Sequence, residues 1–176
     1  MAIKHHFQHK RGFALLVALI FMSVMLSFGL ALGSIGYKQQ VLASDANRAQ
    51  IAFYVADAAL ECLLYADQQQ NLFDYAAHSP STQPAPITTV VCDSTPSVPA
   101  VRVSPTDYSW TTTRLVDKQR LSLDGGTHCA DVMISKPEPT AGGTTYLYAQ
   151  GYDVSCATVA SPSFSRFASR GISAHY

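Results

Sequence analysis

FALLVALIFMSVMLSFGLALGSIG, residues 13–36, runs for 24 positions without a charged side chain. As a helix at about 1.5 Å per residue it reaches roughly 36 Å, more than the about 30 Å of hydrocarbon in a bilayer. In lipid a single segment satisfies its own backbone donors and acceptors only as a helix, and the Leu-, Ile-, Val- and Phe-rich composition favours that transfer. The alternative, a buried core helix, does not need this length. We therefore expect a transmembrane helix over 13–36, and the rest of the chain is read outward from it.

The chain has 176 residues, which leaves room for one modest domain beyond the apolar run. Its formal charge is zero, with 12 basic and 12 acidic residues, but Lys4, Lys10 and Arg11 all precede the run. The part that follows is therefore mildly acidic, which argues against a general binder of nucleic acid or anionic lipid. The four cysteines, Cys62, Cys92, Cys129 and Cys156, lie after the run, with no Cys-x-x-Cys pair. An even count beyond a membrane segment points to two disulfides in an oxidising space, with three possible connectivities.

Residues 1–12, MAIKHHFQHKRG, are polar and basic and lack an apolar core of their own, unlike a conventional secretory signal. The positive-inside rule keeps this leader in the cytoplasm and puts everything after Gly36 outside. His5, His6 and His9 have no carboxylate or cysteine beside them and read as a polar leader, not a metal cluster.

Lys10-Arg11-Gly12 followed by Phe13 and an immediate apolar run resembles the class III signal of type IV pilins and pseudopilins. The resemblance implies cleavage by prepilin peptidase between Gly12 and Phe13, and methylation of Phe13 as the new N-terminus. Glycine before the cut lets the protease approach the backbone closely. Most pilins carry a glutamate as the fifth residue after the cut; this chain has Val17. Missing that acid is a habit of K-type pseudopilins and PilX-like minor subunits, and a tip subunit has no subunit ahead whose amine needs the partner. The run after the cut and the segment SDANRAQIAFYVADAALECLLYADQ, residues 44–68, also resemble PilX-type sequences.

From residue 37 to 72 the pattern stays helical, with no proline and no glycine, so this part is expected to be a stalk continuing into the head. Ile51, Val55, Ala58, Cys62 and Tyr65 recur at helical spacing and are expected to form the face on which the head docks. Ala49, Ala52, Ala56 and Ala59 form a small-residue row suited to another backbone, as do Gly29 and Gly33, and Ser23 and Ser27, in the apolar run. Gly29, Gly33 and Gly36 mark expected curvature or local melting. Lys38, Asp45, Arg48, Asp57 and Glu61 are placed on the exposed side, and the last two read as a solvated face and not as a catalytic pair.

Residues 78–106 are rich in Pro, Ser and Thr, which excludes a helix and predicts a packed loop with short strands near Ile87–Cys92 and Ala100–Val103. Strands are expected at Tyr108–Val116, His128–Ile134, Thr145–Tyr152 and Phe164–His175, with Asp124-Gly125-Gly126 and Ala141-Gly142-Gly143 as turns of an antiparallel meander. Its apolar face is expected on the helical stripe containing Val55 and Cys62. Tyr146, Tyr148 and Tyr152 alternate with Leu147 and Ala149 and read as sheet surface. We favour pairing Cys62 with Cys92, tying loop to helix, and Cys129 with Cys156, stapling neighbouring strands. Each bridge closes a loop of about 30 residues and contributes on the order of 3 to 4 kcal/mol in the chain-entropy model.

No Gly-x-Ser-x-Gly, Walker loop, Gly-x-Gly-x-x-Gly, His-Glu-x-x-His or zinc-spaced cysteine quartet occurs, and His78, His128 and His175 are scattered. The expectation is an α+β protein, a long N-terminal transmembrane and stalk helix on a small antiparallel head at 73–176, with no catalytic, cofactor-binding or metal-ligating residues. The resemblance implies a minor pilin or pseudopilin near the tip of a type IV pilus-like filament. Its partners would be prepilin peptidase, other subunits through the N-terminal helix, an assembly platform and, before assembly, membrane lipid. No specific nucleic acid is expected. The rival is a non-polymerising single-pass protein displaying a disulfide-bonded binding domain.

Overall fold

A computed structural model describes residues 10–73, 90–92, 108–111, 113–140, 142–161 and 166–176, with side chains from Phe13 onward except Trp110. The chain divides into two compact units, Met1–Ser44 and Asp45–Tyr176. Helix α1 covers Lys10–Gln68, 59 residues. The expected loop at 78–106, apart from 90–92, lies outside the described residues, as do His5, His6, His9, His78 and the strand expected at 100–103.

In the first unit every described side chain from Phe13 to Ser44 is exposed. The helix passes Gly29, Gly33 and Gly36 without interruption, so local melting is not found there. A glycine costs a helix about 1 kcal/mol. Opening a turn would cost more, by leaving several backbone groups unpaired in apolar surroundings. The serine hydroxyls are satisfied inside the helix, Ser23 donating to the Ile20 carbonyl, Ser27 to that of Ser23 and Ser34 to that of Ala31, at 2.8, 2.8 and 2.9 Å.

In the second unit, α1 ends where Asn71 takes a left-handed conformation at φ 50°, allowing the Leu72 N–H to reach back to the Ala66 carbonyl at 3.0 Å. Five antiparallel strands follow in meander order: β1 Tyr108–Trp110, β2 Arg114–Leu123, β3 His128–Pro137, β4 Tyr146–Tyr152 and β5 Ser169–His175. A short helix, α2 Cys156–Ala160, lies between β4 and β5. The single strand expected at 108–116 is instead a tight hairpin. Thr111 accounts for it: its hydroxyl oxygen accepts the Arg114 N–H at 3.0 Å, and its own N–H bonds the Arg114 carbonyl at 2.9 Å. Residues 90–92 are not strand, and the last strand begins at Ser169, later than expected.

The β2–β3 turn is the expected Asp124-Gly125-Gly126, with all three residues at positive φ. Asp124 tolerates this conformation because Thr127 donates its hydroxyl to the Asp124 carbonyl and carboxylate at 2.8 and 2.9 Å. Gly142 and Gly143, at φ 66° and 135°, serve the β3–β4 connection.

The core joins Val55, Ala59, Leu63 and Ala66 of α1 to Leu115, Leu121, Ala130, Val132, Ile134, Leu147 and Ala149 of the sheet. The docking face is rotated from the expected one. Val55 belongs to it and Cys62 packs at its edge, but Ala58 is exposed and Tyr65 is 58 % exposed. The small-residue row takes their place, with Ala52, Ala56 and Ala59 fully buried. The reason is Gly151 of β4, where a Cβ would stand 2.2 Å from the Ala52 carbonyl oxygen and 2.4 Å from the Ala56 nitrogen. The backbone admitted by the alanines is the chain's own strand.

Replacing Gly151 by alanine should therefore force strand from helix and cost at least about 1–3 kcal/mol, the usual penalty of overpacking. Thermal unfolding of the full chain in detergent, followed by near-ultraviolet circular dichroism, should show a lower midpoint for Gly151→Ala. Gly36→Ala, where nothing lies within 4 Å of the added atom, should leave it unchanged or higher.

Candidate functional site

Two features have functional content, and each belongs to one unit. In the first unit the apolar run presents its side chains outward around the whole helix. Phe13 is 73 % and Val17 46 % exposed, and no described side chain there is buried. Helix α1 is long and apolar enough to cross a membrane. Gly12 and Phe13, the residues flanking the expected cut, both lie within α1.

In the second unit the disulfides are Cys62–Cys92 and Cys129–Cys156, the favoured pairing, with Cα separations of 5.5 and 4.7 Å. The first links α1 to the segment 90–92. That segment is held a second time by the Val90 N–H donating to the buried Gln119 side chain at 3.1 Å. Gln119 in turn donates to Asp117 at 2.6 Å, so two polar residues on the core face of β2 are satisfied together. The second disulfide does not staple neighbouring strands. Cys156 lies in α2, so the bridge pins that helix to β3. Spacing and hydropathy do not reveal a five-residue helix, which is too short to show a period.

Each bridge closes a loop of similar length, so removing either pair by double Cys→Ser substitution should cost on the order of 3 kcal/mol. Chemical denaturation of the two double variants beside the parent checks this.

Among the described residues three ionic clusters join the elements. Asp67, in the last turn of α1 and buried, receives the Lys136 ammonium of β3 at 2.7 Å and the Tyr176 hydroxyl. On the opposite sheet face Arg120 grips Asp131 through two bonds of 2.6 and 2.8 Å, and Tyr152 donates to the same carboxylate at 3.0 Å. Arg48 donates to the Arg166 carbonyl at 3.2 Å and lies 3.8 Å from Asp153, whose carboxylate accepts the Ala168 N–H at 2.7 Å. None of these clusters is anticipated by motif. The signal for the first is in the sequence: Asp67 falls four residues after Leu63 and eight after Ala59, a carboxylate on the apolar face.

Burial, followed by the Asp131 charge and hydrogen bond, pushes the Tyr152 hydroxyl up to about 12. Tyr176 rises as well, through desolvation first and then its bond to Asp67. Both hold their protons in the folded chain at pH values where the unfolded chain, near pKa about 10, begins to lose them. Their stabilising contribution is complete below pH ~10 and is lost as pH rises through the folded values. The urea midpoint should accordingly fall from pH about 10 upward, and the fall should be shallower in Tyr152→Phe and Tyr176→Phe.

Other expected positions stay apart. Asp57 and Glu61 are exposed on the helix, as are Lys38, Asp45 and Arg48. His128 Nδ1 lies 3.2 Å from the Asp124 carboxylate in the β2–β3 turn, while His175 stands beside the Tyr146 ring at 6.1 Å. Among the described residues no three His, Cys, Asp or Glu side chains converge to hold a metal ion. An open groove of about 490 Å³ runs past Tyr54, Ala58, Leu123 and His128. No family model matches the chain, and no curated protein or solved structure matches it.

Proposed function

We propose that this chain is a minor subunit of a type IV pilus-like filament, cut after Gly12 by prepilin peptidase and anchored in the cytoplasmic membrane before assembly. The observation that carries the reading is the junction at Lys10-Arg11-Gly12-Phe13: a basic triplet ending in glycine, then at once an exposed, charge-free helix. Such a helix can exchange lipid neighbours for apolar helices of other subunits, because both surroundings satisfy the same apolar side chains. Val17 supports a position at the filament tip, where no preceding subunit supplies an amine for a carboxylate to neutralise; an unpaired buried charge elsewhere would be costly.

The compact, twice-bridged second unit suits exposure outside the cell, where disulfides persist. The chain is then an assembly component and a substrate of other enzymes, with no catalytic role of its own. A second reading, a single-pass anchor that displays the same domain and never polymerises, rests on the same helix.

The two separate at the N-terminus. Coexpressed with a prepilin peptidase, the protein should begin at N-methylated Phe13 by mass spectrometry, and should begin at Met1 in a strain lacking the enzyme. An intact Met1 in both strains, with the protein inserted, would replace the filament reading with the anchored one. Gly12→Val should block processing in either case where the enzyme acts.

A further inference from the structure

The outer edge of β5 is an open hydrogen-bonding surface that neither reading uses. This strand stands last in the sheet order, and all seven of its residues pair with β4 along its inner edge. Thr145 and Tyr176 exchange both backbone bonds, at 2.9 and 3.2 Å, and the Asp153 N–H reaches the Ala168 carbonyl at 3.3 Å. Bonded pairs alternate along an antiparallel ladder, so Arg170, Ile172 and Ala174 turn their backbone groups to β4. Ser169, Gly171, Ser173 and His175 turn theirs outward, and among the described residues nothing donates to them or accepts from them.

Sheet edges are usually shielded by shortness, lysine, proline or a bulge. The strand at the other end of the sheet, β1, is only three residues long. By contrast β5 has seven residues, no lysine, no proline and an unbroken register. Gly171, Ser173 and His175 are exposed, and the side chains at 169, 171 and 173 are small enough to leave the backbone accessible. Donors and acceptors alternating at every second residue match the ladder of another extended strand.

We propose that β5 pairs antiparallel with β5 of a second copy, across a two-fold axis through Ile172. An isologous contact needs the same self-complementary surface on each copy, and every copy brings this edge. With the axis at Ile172, Ser169 faces His175 and Gly171 faces Ser173, so every outward group of both strands is bonded. Moving the axis to Gly171 or Ser173 leaves one outward residue of each strand unpaired. On the α1 side the same register sets Ile172 against Ile172, extending the core that Ile172 and Ala174 already flank. Arg170 there faces Ala174, and no like charges stand opposite each other. The axis is perpendicular to the sheet, so residues 45–68 of the two helices run in opposite directions and the contact joins copies that approach from opposite sides. The inference is independent of filament assembly, since it concerns the folded second unit alone.

The test uses the full chain in detergent micelles, with sedimentation equilibrium in density-matched detergent and residue-resolved amide hydrogen exchange by nuclear magnetic resonance. In the monomer the amides of Ile172 and Ala174 should already be protected through β4, and those of Gly171 and Ser173 should exchange freely. As concentration rises a dimer should form and slow exchange at Gly171 and Ser173 by at least about tenfold. Association through the apolar run would not produce this alternation. Ser173→Pro removes an outward N–H and leaves the bonds to β4 in place, so it should weaken the dimer by more than about tenfold. Ser169→Pro should act in the same way, and near-ultraviolet circular dichroism verifies that each variant is folded. A chain that stays monomeric at millimolar concentration would overturn the proposal. So would slow exchange of Gly171 and Ser173 in the monomer, where another segment must then cover the edge, or a dimer indifferent to both proline variants.

Discussion

The contact between Gly151 and the backbone of α1 at Ala52 and Ala56 governs the geometry of the second unit. No side chain fits between strand β4 and the helix there, so the strand rests on the helix backbone and the alanines are buried completely. Once β4 is seated, its alternation determines both faces of the sheet. Leu147 and Ala149 enter the core, while Tyr146 and Tyr148 turn outward. The register with β3 and β5 then carries the same alternation to Val132 and Ile134 on one side and to Met133 and Ser173 on the other.

The core lies between one helix face and one sheet face, and ties at its edges hold the flanking segments to it. One disulfide holds segment 90–92 to the helix, and the other holds α2 to the sheet. The buried carboxylate of Asp67 joins the end of α1 to β3 and to Tyr176. Such a carboxylate is tolerable only with its partners present, because an uncompensated charge at that depth would cost several kcal/mol. These ties fasten the flanking segments to the core, in keeping with how small domains compensate for limited apolar burial.

The first unit obeys the opposite rule. Its helix buries nothing internally, and every apolar side chain from Phe13 onward faces outward. A continuous exposed apolar surface of this kind marks a contact with apolar surroundings. That requirement supports membrane insertion and, in the proposed function, helix packing within a filament.

The apolar run, the helical periodicity beyond it, the antiparallel meander and its glycine turns were legible in the sequence because each depends on neighbours within a few positions. The rotation of the docking face was not. Both Ile51-Val55-Ala58-Cys62 and Ala52-Ala56-Ala59 satisfy helical spacing, and the absence of a side chain at Gly151, about 95 positions away, turns the face so that the alanines are buried with Val55 while Ala58 is exposed. Likewise the meeting of Asp67 with Lys136 and Tyr176 depends on contacts between distant segments, whereas the Thr111 turn and the five-residue α2 are local but too short to show a period. The sequence by itself determined the long helix, its apolar exterior and the approximate places of β3, β4 and β5, since backbone periodicity and hydropathy are local properties. Tertiary structure alone decided which helix face is buried and which polar groups meet, because those follow from steric fit between elements far apart in the chain.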